Sequence, residues 1–76
     1  MPKIKVILHP GAESSNLIRK EIVLEMVQGS TIRNVRELLG LADGALIALS
    51  NKKAASESDM IMNKATIEFY PVFLGG

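Results

Sequence analysis

The chain has 76 residues, no cysteine, 47% hydrophobic residues and a formal net charge of +1. That length makes one small domain, burying about 60% of its unfolded surface, with no disulfide, thiolate metal site or thiol nucleophile available to it. The charge balance leaves no basic stripe for nucleic acid, and with neither a signal segment nor an apolar run near ~18 residues, a cytoplasmic domain with no membrane span is expected.

Lys3 to His9 is rich in β-branched residues, with Ile4, Val6 and Leu8 on one face and Lys3, Lys5, Ile7 and His9 on the other, which predicts a strand. Pro10-Gly11 ends it, and the polar, aperiodic stretch to Asn16 reads as a loop. From Lys20 to Val27, Ile22, Leu24 and Met26 alternate with Glu21, Val23 and Glu25. This second strand is expected to pair with the first as an antiparallel hairpin on a long connection.

After Gln28-Gly29 the period changes. Ile32, Val35, Leu38 and Leu39 fall three to four apart and draw one apolar stripe along a helix. Ser30 or Thr31 supplies its N-cap hydroxyl, Gly40 occupies the left-handed position past its end, and Arg33, Asn34, Arg36 and Glu37 take the solvated face.

Ala45 to Leu49 is a short continuous apolar run, as in a buried central strand. Asn51-Lys52-Lys53 ends it in a solvated turn, and residues 54–63 form a connection with at most a brief strand or turn around Met60-Ile61-Met62, read as core filler. Asn63-Lys64 reads as a turn on the tolerance of Asn for the left-handed conformation. In the last strand Ile67 and Phe69 point inward against Thr66, Glu68 and Tyr70, and Pro71, lacking an amide donor, marks where ladder pairing fails.

The order predicts an α+β fold: a mixed sheet of four to five strands with one helix packed on one face, in one domain over residues 1–76 with an extended tail over 71–76. The path of about 25 residues from the second strand through the helix to the Ala45 strand fits a right-handed crossover between parallel strands. That path brings the first and last strands together at the sheet centre, with the tail leaving from its end.

The tail carries the most pointed chemistry. A terminal Gly-Gly pair occurs by chance in roughly one chain in 200 at ~7% Gly per position. Gly75 and Gly76 lack a Cβ, so their backbone fits channels that other residues would block. The Gly76 carboxyl carbon is likewise unhindered. Elsewhere the residues offer no Gly-rich phosphate loop, no metal-ligand spacing and no triad around His9, the lone histidine, so a catalytic centre, a bound cofactor and a metal are not expected.

The element order, the helix opening Thr31-Ile32-Arg33 and the ending Ile67-Glu68-Phe69-Tyr70-Pro71-Val72-Phe73-Leu74-Gly75-Gly76 resemble the ThiS/MoaD sulfur carriers, which are ubiquitin-like β-grasp proteins. The chain departs from that pattern at Asn63-Lys64-Ala65, where the family has an Asp-Gly-Asp turn, and at Val72, where a second proline is usual. The resemblance implies a carrier and not an enzyme. A partner E1-like enzyme spends ATP to adenylate Gly76, and a sulfur donor protein displaces AMP to leave a thiocarboxylate. The thiocarboxylate then gives its sulfur in cofactor biosynthesis.

The Pro71 ending favours the molybdopterin branch, in which the chain would be the small subunit beside a larger synthase subunit. The alternatives are a ThiS-type carrier serving thiazole synthase in thiamine synthesis, a ubiquitin-like modifier joined through Gly76 to lysine, and an interaction module whose glycines are incidental. The resemblance makes Phe73, Leu74 and Gly75 the presentation arm and Tyr70, Pro71 and Val72 the partner interface. Six extended residues from Pro71 to Gly76 reach about 20 Å, enough to thread into another protein's active site. Tyr70 reads either as an exposed aromatic anchor or as an edge-of-core tyrosine, and His9 as a surface residue.

Overall fold

The computed structural model describes residues 1–13, 17–41 and 46–72. Among these residues five strands and one helix follow in the order β1 (Lys3–Leu8), β2 (Lys20–Glu25), α1 (Ile32–Leu38), β3 (Leu46–Ser50), β4 (Lys53–Ala55) and β5 (Thr66–Pro71). They form one mixed sheet in the order β2-β1-β5-β3-β4. β1 lies antiparallel to β2 and parallel to β5, and β3 is antiparallel to both β5 and β4. The first and last strands therefore meet at the sheet centre, as the sequence predicts.

Alternation decides which face is dry. Ile4, Val6 and Leu8 of β1 and Ile67 and Phe69 of β5 form one cluster with Ile32 and Val35 of α1. Val6, Val35 and Ile67 are fully buried, and each buried aliphatic or aromatic side chain of this kind is worth about 1.5–3 kcal/mol.

The helix is closed at both ends by residues that suit no other place. Thr31 is the N-cap: its Oγ1 accepts from the Asn34 amide at 3.3 Å, and Asn34 Oδ1 accepts from the Thr31 amide at 2.9 Å. Ser30 is not the cap, because its hydroxyl donates to the Val27 carbonyl at 2.6 Å. The next two helix amides, on Ile32 and Arg33, donate to the carbonyls of Asp59 and Glu57, which straps residues 57–59 across the helix start. At the far end the Leu41 amide reaches the Arg36 carbonyl and the Gly40 amide the Glu37 carbonyl, both at 3.1 Å, a Schellman closure with Gly40 at φ +67°.

Several sequence expectations change. Arg36 is not on the solvated face but only 8% exposed, donating from Nε to Glu57 at 2.8 Å and from a guanidinium nitrogen to the Leu41 carbonyl at 3.1 Å. Periodicity cannot see Glu57, a residue 21 positions away. Leu38, expected in the apolar stripe, is exposed, and Leu41 is buried in the same core.

The Ala45 run gives an interior strand, between β5 and β4, but not a buried one. Ala45 lies outside the described residues, β3 starts at Leu46, and its register beside β5 turns Ile47 outward at 49% exposure. Of Met60-Ile61-Met62 only Ile61 is buried, since the strap across the helix faces just one side chain inward. The brief strand is β4, over residues whose sequence predicts the end of the solvated turn and the start of the connection after it. Asn51 and Lys52 have φ of +49° and +70°, as a two-residue type I′ hairpin requires. In the Asn63-Lys64 turn it is Lys64 that is left-handed, at φ +68°, while the Asn63 side chain accepts from the Lys3 amide.

These positions generate a paired prediction. A Cβ on Gly40 would meet nothing within 4 Å, so Gly40→Ala should cost only its conformational penalty, about 1 kcal/mol. Lys64→Gly relieves the same penalty and offsets it against a freer unfolded chain, giving a gain of a few tenths of a kcal/mol. Urea denaturation at 25 °C measures both, and a destabilising Lys64→Gly would contradict the reading.

Candidate functional site

The sheet face opposite α1 should be the solvated one, yet it holds a buried carboxylate. Glu68 alternates with Ile67 and Phe69 along β5 and so points away from the helix, as expected, but it is 2% exposed. Ile7, its register partner on β1, is buried on the same face. Burying a carboxylate is costly unless charge and hydrogen bonds meet it, and here they converge from three parts of the chain. His9, just past β1, places Nε2 2.9 Å from Oε2, and the Tyr70 hydroxyl donates to the same oxygen at 3.3 Å. Lys52, in the β3–β4 turn, puts Nζ 3.1 Å from Oε1. That approach is an ion pair without hydrogen-bond geometry, so Oε1 has no hydrogen-bond partner among the described residues.

The Glu68 carboxyl is held below the usual carboxylate range, first by the His9 hydrogen bond, against the opposing effect of burial, and then by Lys52 and Tyr70. Lys52 is 79% exposed and therefore screened by water. Tyr70, half-buried, lies flat against His9, with ring centroids 3.8 Å apart and planes 9° from parallel. The ring is thus fixed in plane by the stack and at its tip by the carboxylate.

Of the residues singled out from sequence, Tyr70 and Pro71 close β5, Val72 follows it, and all three are half-buried. Phe73, Leu74, Gly75 and Gly76 lie outside the described residues. The structure adds Ile47, the cross-strand partner of Tyr70, which extends the half-exposed apolar surface beside the strand end. It also moves His9 from the isolated surface position expected of it into the cluster. The Ile7↔Glu68 register places His9 one step beyond its target, and nothing local in the sequence displays that register. Among the described residues no group of three or more His, Asp or Glu is arranged to hold a metal ion, and no helix is long and apolar enough to cross a membrane.

The lowered Glu68 carboxyl has a pH consequence of definite sign. Its charge stabilises the fold above the unfolded-state value, about 4.3 for Glu, and that stabilisation is lost as pH falls through the lower folded-state value. Glu68→Gln should therefore cost about 1–2 kcal/mol near pH 7, with the gap to wild type shrinking below about pH 4. Glu21, also held low by Arg19 and Lys5, is common to both proteins and cancels. Denaturant midpoints at the two pH values check this, and a gap that widens in acid would contradict it.

No family model and no curated protein matches the chain. Among solved structures, the crystal structure of SAMP1 from Haloferax volcanii is similar over 97% of this chain and 99% of that one, at a TM-score of 0.71 and 15% sequence identity. At that identity the likeness speaks for the fold alone, and the fold is the ubiquitin-like β-grasp.

Proposed function

We propose that the protein is a sulfur carrier whose reactive group is the Gly76 carboxylate. The observation that carries the reading is the placement of β5. The strand that leads to the glycines is the central one, parallel to β1, and at Pro71 it leaves the ladder beside Tyr70, Val72 and Ile47. A rigid β-grasp body with a half-exposed apolar surface at that point suits docking, and a Cβ-free end suits threading.

The chemistry follows from the inertness of a carboxylate, whose charge is delocalised and whose oxide is not a leaving group. An E1-like partner would bring ATP. One Gly76 oxygen attacks the α-phosphorus, pyrophosphate leaves, and the acyl-adenylate forms. Sulfide equivalents from a sulfur donor protein then attack the carbonyl carbon, expelling AMP and leaving the thiocarboxylate. The thiocarboxylate sulfur then bonds to a biosynthetic intermediate, and attack of water on the acyl carbon breaks the C–S bond and returns Gly76 to a carboxylate. The chain supplies no thiol, so the sulfur is external at every step.

The Pro71 ending favours molybdopterin synthesis with a larger synthase subunit, ahead of thiazole synthase. The second reading, a modifier joined through Gly76 to a lysine amine, shares the adenylate and differs in acceptor. The ubiquitin-like fold along 97% of the chain supports it.

Intact mass after incubation with a matching E1-like enzyme, ATP and sulfide tests the proposal. The expected gain equals one oxygen exchanged for one sulfur, and removal of Gly76 abolishes it. Lysine-linked conjugates in place of that gain would select the modifier reading, and an unchanged mass with no conjugates would remove both.

A further inference from the structure

We propose that Glu68 and His9 are positioning residues that fix Tyr70 and the exit of the chain from β5. This inference rests on the carrier reading for its biochemical consequence but on the geometry of the sheet for its origin.

β1 accompanies β5 only as far as Leu8↔Phe69, where the His9 amide donates to the Phe69 carbonyl at 3.1 Å. Beyond that point Tyr70 and Pro71 are paired on one side only, with Ile47 and Leu46 of β3. Pro71 has no amide to donate. The end of the central strand is thus the place where its backbone ladder becomes one-sided, and it is there that the side-chain cluster stands.

His9 continues the line of β1 with its ring against Tyr70, and Glu68 ties both rings to one carboxylate oxygen. Lys52 meets the other carboxylate oxygen from the β3–β4 turn, which lies beside the start of β5. His9, together with Glu68 and Tyr70 of β5 itself, therefore holds the strand end on the flank where pairing with β1 has stopped. Stability alone gives little reason for such a cluster, since apolar residues of similar volume often serve a fold as well as or better than buried charges. A fixed exit direction does give a reason, because a misplaced reacting group costs rate or affinity far from the site of change.

Two readouts separate this role from a purely structural one. In adenylation by a matching E1-like enzyme, Glu68→Leu should raise KM for the carrier roughly tenfold while kcat stays within about twofold, because the Gly76 carboxylate is untouched. Glu68→Gln, which keeps an acceptor for both rings, should restore most of the KM. His9→Gln added to Glu68→Leu should raise KM by less than it does in wild type, since the His9–Glu68 bond is already gone and only the stack on Tyr70 is left to lose. Amide relaxation by NMR on the carrier alone should show Val72 more mobile in Glu68→Leu than in wild type.

A folded Glu68→Leu protein with wild-type KM and wild-type Val72 relaxation overturns the proposal. If Glu68→Leu does not fold, His9→Gln alone carries the same two measurements. A wild-type protein that no activating enzyme adenylates refutes the carrier reading, and the relaxation result still decides whether the cluster orders the strand end.

Discussion

The pairing of β1 with β5 is the contact on which the rest of this molecule depends. Each of the two strands has neighbours on both sides, and each sends its alternate residues into the single core under α1. β5 comes last in the chain and is the bridge between the β1–β2 hairpin and the β3–β4 hairpin, so neither half of the sheet meets the other without it. The register brings residues about 60 positions apart side by side, as in Ile7↔Glu68. Loop closure must be met before that contact contributes, so local hairpins and the capped helix have to carry the chain until then.

A domain this small has little core to spare, and its ends and turns show how the shortfall is met. Thr31, Asn34 and Gly40 leave few helix-end groups unsatisfied. Asn51 serves twice, taking a left-handed turn position and accepting from the Thr66 amide through its side chain. The Arg36–Glu57 pair, with a guanidinium bond to the Leu41 carbonyl, ties the helix, its C-terminal cap and the segment after β4 into one unit. Each device is worth about 1 kcal/mol or less by itself, yet together they matter against a total stability of order 5–15 kcal/mol.

The two sheet faces divide the work. The helix-covered face holds the apolar side chains that make the fold. The other face gathers its polar chemistry at the end from which β5 leaves, with Lys3, Lys5 and Lys64 around a separate shallow groove at the opposite end. The central strand ends in a proline beside a stacked His9–Tyr70 pair, which fixes that end of the sheet.

Much of the architecture was legible in the order of residues, because it rests on local rules. Alternation gave β1, β2 and β5 their inward faces, three-to-four spacing and Gly40 placed the helix and its end, and Pro71 marked where β5 stops. The Gly75-Gly76 ending and the resemblance it carries are what the carrier proposal starts from. What depended on tertiary structure involves residues that meet only across the sheet or across the helix. Arg36 looks solvated until Glu57 comes over it, Ile47 looks buried until the register turns it outward, and nothing local relates His9, Lys52, Glu68 and Tyr70 to one another. Periodicity reports which face a side chain takes, but only strand order and register decide what stands beside it, and those arise from contacts far apart in the chain.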